Sequence, residues 1–253
     1  MFSSNYKTKL SSAGLIYREF GKSFLKEALP EAEPEALSAV YEKLYQDFIE
    51  GVDGIDNGIP QYPVAVAPNY IINTDLASRV GRLNPSWNSE SQDSDQRFQE
   101  AMKLAGSELI AIARNLLQEW WPAREIVQTA FDRRLASDAS GLVLELHRSC
   151  PWKEHLMAIE KQAALGKDQV LLYVVYEDEQ KRWRIQAVPD KDSGAFANRK
   201  SLPEPWRGLR DKELEVITGI EGATFVHASG FIGGHMTREG AMKMAKAAIA
   251  FKQ

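Results

Sequence analysis

Apolar side chains recur at helical spacing through the first half of the chain. After Ser11–Gly14, where a serine can cap a helix, they fall at positions 15, 16, 20, 24 and 25. The same spacing predicts further helices over residues 35–50, 93–118 and 122–135. We expect the second helix to end at Gly51 and the third to kink or break where Pro122 follows two tryptophans. A proline-spaced connector over 60–68 and a polar loop over 89–95 join these helices.

From Ser137 onward the pattern changes to short apolar or alternating runs, which are typical of β-strands. It predicts strands at 142–146, 170–176, 183–189 and 224–226, and helices at 151–164 and 237–249. The run at 170–176 is apolar throughout, so we expect it in a central strand. The change near residue 136 predicts an α/β (α+β) fold, with a mainly helical domain over 1–135 and an α/β domain over 136–253.

A glycine-rich stretch follows the last predicted strand and leads into the last helix. We expect Gly230, Gly233 and Gly234 to form a turn between them. A strand, a glycine turn and a helix start together can bind an anion, because glycines let the backbone approach and unpaired N–H groups point toward the ligand. His235 and Arg238 lie at this helix start, where either could contact a phosphate. The alternative is a tight β-to-α turn without a ligand.

Composition narrows the possible classes of protein. The 253 residues include 31 Lys and Arg against 35 Asp and Glu, a net charge of −4, which argues against a surface coated with basic side chains. Cys150 is the single cysteine, so no intrachain disulfide framework is expected. Because no apolar run suits a membrane span and the first residues lack the apolar core of a signal peptide, we expect an intracellular protein with no membrane partner.

Two carboxylates stand in a glycine-punctuated segment after the second predicted helix. Asp53 and Asp56 are expected in a turn there, between Gly51 and Gly58. Carboxylates in such a turn can be directed at a metal ion. The commoner alternative is that they accept hydrogen bonds from neighbouring backbone N–H groups.

Two pairs of arginines are candidates for contacting phosphate. Arg79 and Arg82 are three residues apart, so at a helix end they would share a face. Arg207 and Arg210 lie within a loop predicted over 203–211, and the planar guanidinium offers a bidentate fork to a polyanion. The alternative for each pair is a structural ion pair with a nearby acid.

Several segments, in order along almost the whole chain, resemble one family. The matching segments are Lys9–Tyr17, Val52–Gly58, Ser78–Asn88, Cys150–His155, Leu202–Asp211 and Phe225–His235. In these segments the chain resembles the metal-dependent hydrolases of the melanocyte-proliferating-gene family, relatives of the DHH phosphoesterases.

The resemblance implies a metal-dependent phosphodiesterase similar to a 3′-to-5′ RNA exonuclease of nucleus and mitochondria. In such enzymes two divalent metals, Mn²⁺ or Mg²⁺, clamp the attacking and leaving oxygens at phosphorus. The resemblance assigns Gly233, Gly234 and His235 to a loop that grips substrate phosphates in the second domain. It assigns the role of a metal ligand to Asp56, and less favourably to Asp53.

The chain departs from the family pattern at its beginning. It contains neither the early His-Asn-Gly-Thr-Phe-His run nor the Asp-His-His triplet that supplies most metal ligands. The resemblance therefore implies the helical remainder of a DHH-type domain followed by a smaller substrate-binding domain, with weak or no activity alone. Helices within residues 10–50 should then expose apolar faces. The alternative function is a non-catalytic module that binds nucleic acid or nucleotides.

Overall fold

The computed structural model describes residues 1–62, 69–88, 93–190 and 196–252. These form two compact units, Met1–Trp121 and Pro122–Gln253. The connector predicted over 60–68 and the polar loop predicted over 89–95 lie largely outside the described residues. Within the described part of the chain, no helix combines the length and the apolar character needed to cross a membrane.

The regular elements described in the first unit are all helices. Its elements are α1 (Ser12–Ala28), α2 (Pro34–Leu44), a π-helical segment (Tyr45–Ile49), α3 (Glu50–Asp56), α4 (Leu76–Gly81), α5 (Ser94–Asn115) and a second π-helical segment (Leu116–Trp120). Ser11 caps α1 as predicted, because its side chain accepts a hydrogen bond from the N–H of Ala13. The expected end at Gly51 is wrong: the helical chain continues through that glycine to Asp56.

An aromatic cluster forms the centre of the first unit. The rings of Phe2 and Tyr45 stack with their centroids 3.8 Å apart, and those of Tyr17 and Tyr41 stack at 5.1 Å. Leu25 and other fully buried aliphatic side chains from α1 and α2 complete this core. The predicted helical spacing thus identifies the buried face of α2, whereas in α1 Leu25 is buried but Leu15, Ile16 and Phe20 are exposed.

The second unit contains all the described strands. Its elements are α6 (Trp121–Asp132), α7 (Arg134–Ser137), β1 (Val143–Leu146), α8 (Trp152–Gln162), β2 (Tyr173–Glu177), β3 (Trp183–Ala187), a 3₁₀ turn (Glu204–Trp206), α9 (Asp211–Thr218), β4 (Ala223–Val226), β5 (Ile232–His235) and α10 (Arg238–Ala250). The predicted α/β fold class is confirmed, and β2 is an internal strand of the sheet.

The five strands form one mixed sheet in the order β1-β2-β3-β5-β4. β1 and β2 are parallel, and every other neighbouring pair is antiparallel. α10 packs on one face, where its Met244 and Ala245 meet Ile185 of β3 in a buried cluster. On the other face a second cluster places α6 and α8 against β1 and β2.

The compact units divide earlier than the predicted boundary near residue 136. Val127 and Phe131 of α6 belong to the buried cluster that includes Leu144 and Leu146 of β1. α6 therefore contributes to the core of the second unit, although its sequence pattern continues that of the preceding helices. The functions predicted for residues 1–135 and 136–253 stay predictions.

Candidate functional site

The glycine-rich stretch near the C-terminus forms a strand. Gly233 and Gly234 lie in β5, paired on one side with Ile185 and Arg184 of β3 and on the other with β4. The predicted turn at these two glycines is therefore wrong. Only Gly230, with φ +71°, lies in the turn that connects β4 to β5.

Gly234 is required by the close approach of its neighbours. A Cβ at this position would lie 2.7 Å from the Phe225 ring and from Thr224 Oγ1, and 2.8 Å from an Arg184 guanidinium nitrogen. The β-bulge in the β4–β5 pairing brings Thr224 and Phe225 opposite this one glycine. The absent side chain thus makes room for an aromatic ring and a cation on one face of the sheet.

His235 is buried at the end of β5. It is 3% exposed, its Nδ1 accepts a hydrogen bond from the N–H of Thr237 at 2.9 Å, and its Nε2 lies 2.9 Å from the carbonyl oxygen of Glu221. Gly240 accommodates the ring, since a Cβ there would be 1.8 Å from it. These contacts fix the connection between β5 and α10, and His235 lies just before the start of α10, as predicted.

Groups of the protein itself provide the hydrogen bonds and ion pair at the start of α10. Thr237 caps the helix by accepting a hydrogen bond from the N–H of Gly240. Arg238 forms a bidentate ion pair with Glu145 of β1, which raises the pKa of the guanidinium through the hydrogen bonds and charge of that carboxylate. Both groups that the sequence placed at an anion site are therefore engaged within the second unit.

Arg210 is the exposed member of the second predicted arginine pair. It forms an isolated bridge with Phe225 of β4, and its guanidinium carbon lies 5.8 Å from the centroid of that ring. Arg207 is half-buried and donates from Nε to the carbonyl oxygen of Leu202 at 2.9 Å. The two arginines thus differ: Arg207 supports its own loop, and Arg210 presents charge to solvent.

The sequence pattern did not indicate Arg184 and Phe225 as site residues. The guanidinium carbon of Arg184 lies 5.1 Å from the centroid of the Phe225 ring, and Arg184 also pairs with Asp178 at 2.5 Å. The register places Tyr176, Arg184, Gly234, Phe225 and Arg210 in one row across the sheet. We call these five residues the Phe225 row. From sequence, the alternation in β3 could place Arg184 on one face of the sheet. It could not show that Arg184 lies near Phe225, because the spatial order β3-β5-β4 differs from the order along the chain.

The two candidate metal ligands lie in helix α3, so the predicted turn is wrong. Asp53 is fully buried, with Oδ1 accepting from the backbone N–H groups of Ser11 and Gly14 and from the Ser11 hydroxyl. Its Oδ2 accepts from the hydroxyl of Tyr45 at 2.9 Å. Asp53 does accept from backbone N–H groups, but from Ser11 and Gly14, which are 42 and 39 residues away and not the neighbouring groups that the alternative predicted.

The described residues do not fit a two-metal centre. Asp56 is exposed at the end of α3, while both oxygens of Asp53 are taken by hydrogen bonds. Across residues 1–62, 69–88, 93–190 and 196–252, His, Cys, Asp and Glu form no group of three or more that could hold a metal ion. The set of ligands for Mn²⁺ or Mg²⁺ is therefore incomplete among them.

Arg79 and Arg82 lie at the C-terminal end of α4 and the residue that follows it. Arg79 forms an ion pair with Glu108 of α5, and Arg82 donates to the carbonyl oxygen of Asn73 at 2.7 Å. Asp75, the neighbouring acid, instead caps α4 by accepting from the N–H of Ser78. The structural alternative, an ion pair with an acid, therefore describes Arg79 but not Arg82, which contacts a backbone carbonyl.

An apolar groove lies along the exposed side of α1. It measures about 380 Å³ and is lined by residues that include Ile16, Phe20 and Phe24 of α1, with Phe48 and Leu109 opposite. Ile16 is 62% exposed and Phe20 is 60% exposed. The predicted exposure of apolar faces within residues 10–50 is confirmed.

Fold and site together define an α/β protein with a helical unit and a mixed-sheet unit, whose candidate phosphate-binding arginines are divided between the two. The chain belongs to the MYG1 family. Residues 1–249 match the family model MYG1_exonuc, which is described as an uncharacterised protein family (UPF0160).

Curated relatives match almost the whole chain. It is 46% identical over 247 residues to the "MYG1 exonuclease" of Homo sapiens, covering 97% of this chain and 65% of the relative. It is 45% identical to the "MYG1 exonuclease" of Mus musculus, again over 97% of this chain, and spans 64% of the length of that relative. The "MYG1 protein C694.04c" of Schizosaccharomyces pombe is 42% identical over 257 residues, which is 77% of its length. No solved structure matches the chain with significance.

Proposed function

We propose that this chain is part of a nuclease that removes nucleotides from RNA in the 3′-to-5′ direction. The observation that carries the proposal is the 46% identity, over 97% of the chain, to a human relative named an exonuclease. The polarity, the RNA substrate and a nuclear or mitochondrial location follow from the family resemblance and are part of the proposal.

The second unit is proposed to hold the substrate. Arg210 is the best placed of the predicted phosphate ligands, because it is exposed and lies beside an aromatic ring on the sheet. Gly233, Gly234 and His235 are proposed to shape this unit from within β5, since they are buried. Arg238 is proposed to fix α10 to β1 through Glu145, and Arg79, Arg82 and Arg207 to support their local structure.

Hydrolysis is proposed to depend on a divalent metal, Mn²⁺ or Mg²⁺. Because the described residues do not fit a metal centre, the proposal places most ligands on residues beyond those described. Asp56 remains the candidate that this chain would contribute, since its carboxylate is exposed. Asp53 is no longer a candidate, because its hydrogen bonds hold the start of α1.

This chain alone is proposed to be weak or inactive. The exposed apolar groove along α1 supports the idea that a further segment covers it in the active protein. The resemblance suggests that this segment carries the Asp-His-His triplet. We refer below to a chain that has such a segment, taken from a relative, ahead of Met1 as the extended form.

The test is degradation of a single-stranded RNA labelled at its 5′ end by the extended form with Mn²⁺. The proposal predicts a ladder of labelled products that shorten from the 3′ end, no products in EDTA, and reduced activity for Asp56→Ala. Immediate release of a labelled mononucleotide would indicate the opposite polarity, and a few internal products would indicate an endonuclease. Full activity of Asp56→Ala would remove that residue from the metal ligands.

A further inference from the structure

The Phe225 row crosses one face of the sheet of the second unit, on the side opposite to α10. Ile185 and Gly233 pair with each other next to Arg184 and Gly234, and strand alternation places them on the other face, where Ile185 packs with α10. In the described part of the second unit, Phe225 and Ile232 belong to neither buried hydrophobic cluster. The β3-β5-β4 half of this face therefore carries side chains that the helices do not bury.

The row combines an aromatic ring with two guanidinium groups. Arg184 and Arg210 both lie within 6 Å of the Phe225 centroid, at 5.1 and 5.8 Å, which is the range of cation–π contacts. Asp178 compensates the charge of Arg184. Among the described residues no carboxylate within ion-pairing distance of Arg210 is found, so the row carries one exposed, uncompensated cation.

A buried hydroxyl beneath the row has no partner. Thr224 Oγ1 is the one described buried side-chain oxygen or nitrogen without a hydrogen bond. It lies beside Gly234 together with Phe225 and Arg184. Such an unsatisfied buried polar group costs about 1–3 kcal/mol, so the Thr224 hydroxyl lowers stability at this point of the sheet.

We propose that the Phe225 row is a binding platform for single-stranded nucleic acid. An unpaired base stacks on the Phe225–guanidinium layer, and Arg210 contacts the adjoining phosphate. A duplex cannot use this platform, because its bases are already stacked and paired. The proposal rests on the proposed nuclease function and names the substrate-holding surface of that function; it involves the face of the sheet opposite to His235.

The experiment measures fluorescence anisotropy of a labelled ten-nucleotide oligouridylate with the full chain, in EDTA so that nothing is hydrolysed. We expect Phe225→Leu, which keeps an apolar side chain but removes the ring, to weaken binding at least about fivefold. Arg210→Gln should weaken binding and reduce the dependence of log K on log salt by about 0.7. An RNA duplex of equal length should compete poorly.

Phe98→Leu and Arg97→Gln are the matched controls, since both side chains are exposed on α5 of the first unit. They should bind as the wild-type chain does. If Phe225→Leu fails to fold, Arg210→Gln decides the question, because its exposed side chain is dispensable for packing.

The inference is overturned if the wild-type chain does not bind the oligonucleotide, if both row variants bind like the controls, or if duplex competes equally. The nuclease proposal is tested separately by RNA shortening. Shortening with unchanged binding by Arg210→Gln would remove the platform and leave the function. Binding through the row without any shortening would remove the function and leave the platform.

Discussion

Asp53 connects α3 to the start of α1 through three hydrogen bonds from Ser11 and Gly14, and it accepts a fourth from Tyr45. Its burial follows from these contacts, since a carboxylate leaves water only when its oxygens are satisfied. The sequence indicated neighbouring backbone N–H groups as possible partners, not those of Ser11 and Gly14. Two of the three partners are 42 and 39 residues away, and only the packed helices bring them together.

Asp53→Asn should lower the free energy of unfolding by about 2 kcal/mol, because the amide replaces an acceptor with a donor facing buried donors. Urea denaturation measures this change. Asp56→Asn on the same helix is the control and should stay within about 0.5 kcal/mol, since its side chain is exposed. Equal stability of the two variants would contradict the role assigned to Asp53.

His235 gives the second prediction for a single residue. His235→Ala should cost about 2 kcal/mol of unfolding free energy, because it leaves the Thr237 N–H and the Glu221 carbonyl without their partner and opens a cavity. Thermal denaturation checks this, with His227→Ala as control, since His227 is exposed next to the β4–β5 turn. A His235→Ala protein of normal stability with impaired oligonucleotide binding would favour the role implied by the family resemblance.

Strand β5 shows why glycines alone did not predict the local structure. Glycine is disfavoured in strands on average, so Gly233 and Gly234 were interpreted as a turn. In the sheet the missing side chain of Gly234 accommodates the Phe225 ring and Arg184, that of Gly233 leaves room for Leu202 and Val226, and pairing with β3 and β4 holds the strand. That tertiary requirement cannot be read from a window of neighbouring residues.

The helices were predicted better because their signal is local. Apolar spacing and the Ser11 cap predicted α1 within a few residues. The break expected before Pro122 takes the form of a π-helical segment over Leu116–Trp120, after which α6 continues with Pro122 in its first turn. A proline is tolerated there, so the interruption is smaller than the sequence suggested.

Helix α10 provides a prediction for an element as a whole. Gly240→Ala should displace the start of α10 and cost at least about 2 kcal/mol, because the new methyl group would lie 1.8 Å from the His235 ring. Gly51→Ala in α3 is the matched control: a Cβ there meets nothing within 4 Å, so stability should be unchanged or higher by up to about 1 kcal/mol. Urea midpoints that fall equally in both variants would contradict this account.

Over the whole molecule, buried phenols and the single thiol predict loss of stability at alkaline pH. Burial raises the pKa of Tyr17 and Tyr173, and burial with the Asp53 hydrogen bond raises that of Tyr45. Burial also raises the pKa of Cys150 to about 11. In the unfolded chain these groups ionise near their ordinary values, about 8.5 for Cys and 10 for Tyr, so the unfolded state loses protons first.

Stability should therefore be constant near neutral pH and fall as pH rises above about 8.5, with a steeper loss above about 10. Urea midpoints at several pH values measure this profile. Tyr17→Phe should flatten the loss above pH 10, whereas Tyr70→Phe should leave the profile unchanged because that side chain is 73% exposed. A profile that does not fall up to pH 11 would contradict the buried, protonated state of these groups.

The fold class and the family could be predicted from the sequence, because both depend on patterns or motifs spread along the chain. The sequence pattern puts the boundary between the two units near residue 136, after α6. It does not show that Val127 and Phe131 of α6 pack with β1. The Phe225 row was beyond its reach for the same reason: Arg184 and Phe225 are 41 positions apart in the numbering and meet only through the strand order.

We propose that this chain is the substrate-holding part of a metal-dependent exonuclease. The most direct measurement is RNA degradation with Mn²⁺ by this chain and by the extended form, side by side at equal concentration. The account predicts that only the extended form shortens the RNA, while both forms bind it. Equal shortening by this chain alone, sensitive to EDTA, would contradict the account and place the catalytic residues among those present in it.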